Sequence, residues 1–289
     1  MDGVVAALLA TTRLEKRAPP PPLVIASEAK QSMAQPQALW PNLSRRPPPD
    51  PARARGMTAF KEGDPTTLKR LYGRSIGKPL RTHQQGLVDN LLPRIAVPEE
   101  GPVTAERLFG ADRPLHFEIG FGGGEHLAYR ADLLPDHGFI GAEPYMNGVA
   151  QALAQIEEQK IGNIRLHAGN ALEVLERVPD GALTMVYLLH PDPWPKNKHA
   201  KRRMMNDGPV QMIADKLKPG GEFRFGTDHA IYLRHALMVM RRFGHVFEWV
   251  TDGPSSWQQR PSGWPETRYE KKARDVFEHE VWYFRFRRR

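Results

Sequence analysis

Short apolar runs alternate with longer amphipathic stretches along the chain from Pro114 onward. Short apolar runs bounded by glycine, proline and polar residues predict β-strands. The run Leu183–Leu189 is apolar at almost every position, which is typical of a strand buried on both faces. The predicted strands are Leu115–Ile119, Gly138–Ala142, Ile164–His167, Leu183–Leu189, Glu222–Gly226 and Val281–Phe286.

The segments between these strands carry apolar residues at helical spacing. One helix is expected from the glycine-rich turn at Gly124 to about Leu134, and Pro219–Gly221 is expected to form a turn before the fifth strand. Strands that alternate with helices of this length predict an α/β fold with a mostly parallel, doubly wound sheet. The other predicted helices are Asn147–Gln159, Ala171–Arg177, Pro209–Leu217 and Ile231–Phe243.

The amino-terminal part of the chain differs from the rest in composition. Residues 1–56 hold ten of the 27 prolines, so this stretch is predicted to be a disordered, basic tail. The same change in composition is compatible with a natural start at Met57. Residues 57–110 are predicted to be a basic extension with a short helix over Gln84–Leu92, whose surface is either solvated or in contact with RNA. Residues 111–289 are predicted to form the domain that contains the sheet.

Charge and residue types narrow the classes of function. A net charge of +8 and a pI of about 9.7 fit a polyanionic partner, or a basic surface that only keeps the protein in solution. The absence of cysteine excludes disulfides, thiolate zinc sites and cysteine nucleophiles. The histidines show no metal-ligand spacing, so no metal is expected. The apolar run Val4–Ala10 is far too short to span a bilayer, so no membrane association is expected.

A glycine-rich turn follows the first predicted strand and opens a helix. Glu118 stands two residues before the glycines Gly120, Gly122 and Gly124, and Glu143 ends the next strand. Glycines let the backbone approach a ligand, and a carboxylate at the second strand end can bind both hydroxyls of a ribose. The spacing of the glycines and the acid before them suit the cationic S-adenosylmethionine better than a pyrophosphate. A nicotinamide site and a structural turn are the alternatives.

The segment His190–Arg203 has the sequence HPDPWPKNKHAKRR and follows the buried fourth strand. Its prolines stiffen the loop, and its place at a strand end puts Asp192 near the predicted ligand site and leaves Trp194 able to stack. Five basic side chains then follow within eight residues without an acid, which is typical of a phosphate-binding surface. A solvated basic loop is the alternative, but it does not explain the rigid Asp-Pro-Trp beside the charges.

Three more candidates lie near strand ends. Asn170 follows the third strand, where it can reach an adenine, cap a helix, or do both. Asp228 follows the fifth strand and either faces the same edge of the sheet or caps the next helix. The segment Thr267–Glu270 offers a hydroxyl, a guanidinium, an aromatic ring and a carboxylate, which together can bind the edge and face of a nucleobase. Such residues also occur at ordinary strand ends.

Together these motifs resemble the bacterial tRNA (guanine-N7)-methyltransferase family over about residues 57–289. The resemblance rests on Glu118–Gly122, Pro191–Lys196, Thr227–Asp228 and Thr267–Glu270, which occur in the family's order. It implies a Rossmann-like, class I S-adenosylmethionine-dependent methyltransferase fold with an antiparallel carboxyl-terminal strand. It also implies a cytoplasmic enzyme, either monomer or homodimer, that methylates N7 of a guanosine in the variable loop of tRNA.

The resemblance further implies a role for each candidate residue. Asp192 is expected at the junction of cofactor and substrate as the catalytic residue. Asn170 departs from the family, which often has an aspartate there, because the amide keeps hydrogen-bonding capacity without the charge. The residues expected to bind S-adenosylmethionine are Glu118, Gly120, Gly122, Glu143, Asn170 and Asp192. Those expected to bind the substrate are Lys196, Asp228, Thr267, Arg268, Tyr269 and Glu270. Those expected to contact RNA are Lys198, His199, Ala200, Lys201, Arg202 and Arg203.

Two other classes of function remain compatible with the sequence. A methyltransferase that acts on a protein or a small molecule would share the glycine-rich turn and Glu143, but it would leave the basic loop unexplained. A methyltransferase that acts on another RNA is an alternative within the same class. A non-catalytic RNA-binding protein on the same fold would keep the basic loop, but it would not need Glu118 and Glu143 together.

Overall fold

Seven strands form one mixed sheet in the computed structural model, which describes residues 77–253, 256–277 and 280–289. The strand order is β3-β2-β1-β4-β5-β7-β6. Strands β1 to β5 pair in parallel, and β7 pairs antiparallel with both β5 and β6. The strands are β1 Leu115–Ile119, β2 Gly138–Ala142, β3 Ile164–His167, β4 Leu183–Leu189, β5 Leu217–Thr227, β6 Phe247–Val250 and β7 Trp282–Arg288.

The predicted mostly parallel sheet with an antiparallel carboxyl-terminal strand is confirmed, but one predicted turn is wrong and one strand was missed. The expected turn at Pro219–Gly221 lies inside β5, because the pairing of β5 with β4 continues through a register shift between Leu183 and Met185. Strand β6 was not predicted, since it has four residues and only Phe247 among them is buried. The predicted tail and residues 57–76 of the predicted extension lie outside the described residues, so the domain boundaries stay predictions.

The six predicted helices are found close to their predicted positions, and three further helices, Leu92–Ile95, Ala105–Phe109 and Arg268–Phe277, were not predicted. In the predicted extension, a helix expected over Gln84–Leu92 is found over Thr82–Asn90. No helix in the described ranges is both long and apolar enough to cross a membrane. The helices are α1 Thr82–Asn90, α2 Leu92–Ile95, α3 Ala105–Phe109, α4 Glu125–Leu133, α5 Met146–Gln159, α6 Ala171–Leu175, α7 Asp207–Lys216, α8 Ala230–Arg242 and α9 Arg268–Phe277.

Apolar side chains bury both faces of the sheet. The neighbours Phe139 and Ile140 on β2 belong to different core clusters, because successive side chains of a strand point to opposite faces. The cluster around Ile140 includes residues of α6, α7 and α8, whereas the cluster around Phe139 includes residues of α1, α4 and α5. The sheet is therefore doubly wound, as the spacing of strands and helices predicts.

The chain order of the strands fixes where a ligand can bind. Strand β1 lies between β2 and β4, so the connections after β1 and β4 leave toward opposite sides of the sheet. In open α/β sheets, the crevice outside the carboxyl ends of such strands is where ligands bind. The glycine-rich turn after β1 and the loop after β4 both begin at this point.

Candidate active site

The turn after β1 is held by the carboxylate at the end of β2. Glu143 accepts hydrogen bonds from the backbone N–H of Gly122 through Oε2 and from that of Tyr145 through Oε1, each at 2.9 Å. Gly120 and Gly122 have φ angles of 70° and 57°, which glycine adopts without strain. The acid predicted to bind a ribose therefore also fixes the loop on which a ligand would lie.

Burial raises the pKa of the Glu143 carboxyl. The two backbone hydrogen bonds act in the opposite direction, and the negative charges of Asp192 and Glu118 raise the pKa further. Three carboxylates from the ends of β1, β2 and β4 thus lie near enough for their charges to act on one another. Repulsion among them favours a ligand that brings positive charge or several hydrogen-bond donors.

Gly148 is a site residue that sequence reasoning missed. A Cβ atom at this position of α5 would lie 2.4 Å from the carbonyl oxygen of Gly122, so only glycine lets the helix pack against the glycine-rich turn. The available signal was a glycine inside a helical pattern, which often marks close packing.

Glu118, the acid before the glycines, is buried at the end of β1. Its Oε2 atom accepts a hydrogen bond from Nδ1 of His126 at 2.7 Å, and both side chains are almost inaccessible. His126 lies on α4 and was not among the predicted site residues. Asn170 caps α6 by accepting the N–H of Leu172 through Oδ1 at 3.1 Å, which confirms one of its two predicted roles.

The loop after β4 has two unusual backbone conformations and is supported by one buried cation. His190 and Trp194 have φ angles of 50° and 42°, which non-glycine residues rarely adopt. Arg203 is buried, and its guanidinium donates to the carbonyl oxygens of Pro193 at 3.0 Å and Trp194 at 2.8 Å. Arg203, expected to contact RNA, is thus turned inward in this structure and supports the loop.

Asp192 lies between residues predicted to bind S-adenosylmethionine and residues predicted to bind the substrate. The residue is exposed, but the surrounding protein partly buries its carboxyl group and so raises its pKa. Its negative charge raises the pKa of Glu143 and contributes to that of Tyr269. The charge of Asp192 therefore acts on both the cofactor-side acid and the tyrosine of the segment expected to bind substrate.

The segment Thr267–Glu270 forms the start of α9 and not a strand end. Thr267 and Glu270 form a reciprocal capping box, in which the N–H of Thr267 donates to Oε2 of Glu270 at 2.6 Å and the N–H of Glu270 donates to Oγ1 of Thr267 at 3.2 Å. Tyr269 is directed to the site, since its hydroxyl donates to Oδ1 of Asp228 at 3.2 Å. Burial raises the pKa of the Tyr269 hydroxyl to about 12, together with the charges of Asp228 and Asp192.

Glu270 joins three parts of the chain. It is buried, it accepts a hydrogen bond from the hydroxyl of Tyr283 on β7, and its Oε1 lies 3.9 Å from Nε2 of His190. Burial alone would raise the pKa of Glu270, but the nearby His190 and the hydrogen bonds from Tyr283 and the N–H of Thr267 lower it to about 2. His190 and Tyr283 were not predicted as site residues: His190 begins the motif after β4, but its contact with Glu270 joins residues far apart along the chain, and Tyr283 lies outside the motifs.

Arg268 connects α9 to the glycine-rich turn. Its guanidinium forms an ion pair with Glu125 and a hydrogen bond with Gln151, and a Cβ atom on Gly123 would lie 2.3 Å from its terminal nitrogen. The side chain predicted to bind substrate therefore borders the predicted cofactor loop.

The basic segment Lys196–Arg203 has some side chains exposed to solvent and others that support the loop. The segment Asn197–Arg202 forms a 3₁₀ helix, and Lys196, Lys198 and Lys201 are exposed, whereas His199 and Ala200 are half-buried. Arg202 lies with its guanidinium 4.9 Å from the ring of Trp194. In the ranges that the structure describes, no group of three or more His, Asp or Glu side chains is arranged to hold a metal ion.

Known proteins resemble this chain over most of its length. Residues 112–282 match the family described as "Putative methyltransferase". A tRNA (guanine-N(7)-)-methyltransferase of Erythrobacter litoralis is 82% identical over 233 residues, which cover 81% of this chain and 100% of that protein. Proteins with the same name are 57% identical in Zymomonas mobilis, over 80% of this chain and 100% of that protein, and 44% identical in Rhodospirillum rubrum, over 72% and 84%. The resemblance seen in the motifs is confirmed, and the chain belongs to the tRNA (guanine-N(7)-)-methyltransferase family.

Proposed function

We propose that this chain transfers a methyl group from S-adenosylmethionine to N7 of a guanosine in tRNA. The observation that most directly supports the proposal is the position of Asp192. Its charge acts both on Glu143, beside the glycine-rich turn, and on Tyr269, beside the basic loop. A carboxylate at that junction can act on a base that lies against the methyl donor.

The residues around the glycine-rich turn fit S-adenosylmethionine. A Cβ atom on Gly122 would meet no other atom within 4 Å, so open space lies in front of the turn. Glu118 and Glu143 border this space with carboxylates, which suit an ammonium group and ribose hydroxyls but repel a pyrophosphate. Asn170 adds an amide for the edge of an adenine. When bound, S-adenosylmethionine supplies a methyl group on a positively charged sulfur.

The protein's part in the reaction is alignment and electrostatic stabilisation. N7 of guanine has a lone pair in the plane of the ring, so the chain needs no general base to activate it. Asp192 would accept hydrogen bonds from N1–H or the exocyclic amine of guanine and thereby orient N7. The same carboxylate would stabilise the positive charge that the ring gains, and such preorganised charges supply much of enzymatic rate acceleration.

The substrate side would hold the base and the RNA backbone. Tyr269, fixed by Asp228, presents an aromatic ring on which a flipped-out base can stack. Lys196 would bind the same nucleotide, while Lys198 and Lys201 would contact phosphates as exposed point charges. Since tRNA is the substrate, we also expect the enzyme to work in the cytoplasm.

The test is to incubate the purified chain with radiolabelled S-adenosylmethionine and unfractionated tRNA, and then to identify the labelled nucleoside. We expect 7-methylguanosine. Label in another nucleoside would contradict the proposed position, and tRNA binding without transfer would favour the non-catalytic alternative. Transfer to a small molecule but not to RNA would favour a methyltransferase with a small-molecule substrate.

A further inference from the structure

A buried imidazole lies directly behind the acid that precedes the glycine-rich turn. Nδ1 of His126 is 2.7 Å from Oε2 of Glu118, and the two side chains are 3% and 4% exposed. Because a carboxylate oxygen only accepts, Nδ1 carries the proton and donates it. A hydrogen bond to a charged partner at this distance is among the stronger ones in proteins.

Aromatic rings fix the plane of the imidazole. The ring of His126 packs edge-on against those of Tyr187 and Trp264, each with a centroid distance of 4.8 Å. Nε2 of His126 is buried and has no hydrogen-bond partner among the described residues. Among the described residues, the His126 side chain therefore makes its hydrogen bond to Glu118.

Glu118 uses one of its two oxygens for this contact. Within the described ranges, His126 is the group that hydrogen-bonds its carboxylate, through Oε2, and Oε1 accepts nothing from the protein. Oε1 is not among the fully enclosed polar atoms that lack a partner, so it keeps part of the 4% of the Glu118 side chain that is accessible. A ligand can therefore reach Oε1 and supply the donor that this carboxylate oxygen lacks. The space in front of the glycine-rich turn lies next to this strand end.

We infer that His126 is a positioning residue, which holds Glu118 so that Oε1 binds the ammonium group of the methyl donor. The inference rests on the proposed function and deepens it by assigning one end of the donor to one carboxylate. The chemistry follows from the charges, because the ammonium is the strongest hydrogen-bond donor that S-adenosylmethionine offers to a buried carboxylate. Loss of His126 should therefore affect ligands with the amino-acid end and spare those without it.

Two ligands separate this role from a general effect on the pocket. S-adenosylhomocysteine carries the amino-acid end, whereas 5′-methylthioadenosine has the same adenosine and a thioether but no amino-acid end. Calorimetric titration of the full chain with both ligands measures the two affinities. The ratio of the affinities reports the contact with the ammonium group, because the adenosine contacts cancel.

The variants separate the hydrogen bond from the packing. His126→Phe keeps a ring of similar size and removes the donor, and we expect it to weaken S-adenosylhomocysteine about tenfold and 5′-methylthioadenosine less than about twofold. His126→Asn puts an amide nitrogen near the position of Nδ1, so it should restore most of the affinity ratio. The matched control is His116→Phe, since His116 is a buried imidazole on β1, the strand of Glu118, and its ring contacts Tyr187 and His137 and not Glu118. It should leave the ratio unchanged.

Several outcomes would overturn the inference. Equal weakening of both ligands by His126→Phe would show a general effect on the pocket, and equal behaviour of the Asn and Phe variants would show that the donor does not matter. If His126→Phe does not fold, His126→Gln makes the same comparison, because its longer amide reaches the Nε2 position and leaves Glu118 without a donor. Failure of the unmodified chain to bind either ligand would instead overturn the proposed function.

Discussion

The two sides of the candidate site are built in different ways. On the cofactor side, at the ends of β1 to β3, backbone N–H groups hold Glu143 and Asn170, whereas Glu118 is held by the side chain of His126. On the substrate side, formed by β4, β5, β7 and α9, side chains hold one another. There the hydroxyl of Tyr269 donates to Asp228, and that of Tyr283 donates to Glu270.

This difference indicates which half of the site tolerates amino-acid substitution. Contacts with the backbone survive many substitutions, because every residue except proline supplies an N–H group. Contacts between side chains from distant parts of the chain are lost with a single substitution, and their loss leaves a buried partner unsatisfied. We therefore expect larger and more varied effects from substitutions on the substrate side.

The largest effect is expected at Asp192, where the two sides meet. Asp192→Asn should lower the rate of methyl transfer on the order of a hundredfold, because the carboxylate that orients and stabilises the base is removed. The affinity for S-adenosylhomocysteine should stay within about twofold if Asp192 acts on the substrate. Single-turnover transfer and calorimetry measure the two quantities.

A matched control and the pH dependence sharpen this test. Asp112→Asn, at an exposed position before β1, should leave both quantities unchanged. Because burial raises the pKa of Asp192, transfer by the unmodified chain should fall as the pH drops through that raised value. An equal loss of transfer and of S-adenosylhomocysteine affinity in Asp192→Asn would make Asp192 a cofactor ligand and would move the boundary between the two sides.

A smaller effect is expected at Glu270, which joins the elements of the substrate side. The folded state lowers its pKa from 4.5 to about 2, so its carboxylate stabilises the fold above about pH 4.5, and this contribution is lost as the pH falls toward 2. Glu270→Gln should therefore lower the free energy of unfolding by about 2 kcal/mol at pH 7 and by less at pH 3. Urea denaturation at both pH values measures the difference.

The control for Glu270 is an exposed acid. Glu157→Gln on α5, where the side chain is half exposed, should change the free energy of unfolding by less than about 0.5 kcal/mol. A cost for Glu270→Gln that is equally small, or one that does not change with pH, would contradict the view that side-chain contacts hold the substrate side together.

The smallest effect per residue is expected on the exposed basic surface. Reversal of Lys198 and Lys201 to glutamate should weaken tRNA binding and should lower the slope of log affinity against log salt by about 0.7 to 0.9 per lost phosphate contact. Lys218→Glu, at the start of β5 on the opposite edge of the sheet, should leave the slope unchanged. An unchanged slope in the double variant would remove this surface from the RNA interface.

The sequence predicts the cofactor side well because its structure is local. The strands Leu115–Ile119 and Gly138–Ala142 have the predicted bounds. Because these strands are neighbours, the residues that follow them, Gly122 and Glu143, meet at the same end of the sheet. His126 was missed because a histidine on a helix carries no sign of its partner. Its role depends on the side of β1 against which α4 packs, and a local sequence motif does not predict that packing.

The substrate side was predicted only as separate segments. Asp228 and Thr267–Glu270 were expected at one site, but the capping box at the start of α9 and the contacts with His190 and Tyr283 depend on the placement of β7. The Thr-x-x-Glu spacing was a usable signal for the helix start. The inward turn of Arg203 could not be read from the sequence, because a run of like charges looks the same whether its members face water or the loop.

The position of β7 has a consequence for how this protein matures. It is the last of the described strands to leave the ribosome, yet it lies inside the sheet, between β5 and β6. Until it inserts, β6 has no neighbour through which to join the sheet, and Tyr283 cannot reach Glu270. A nascent chain can thus complete its cofactor side before β7 is made, while the substrate side closes only after β7 has inserted between β5 and β6.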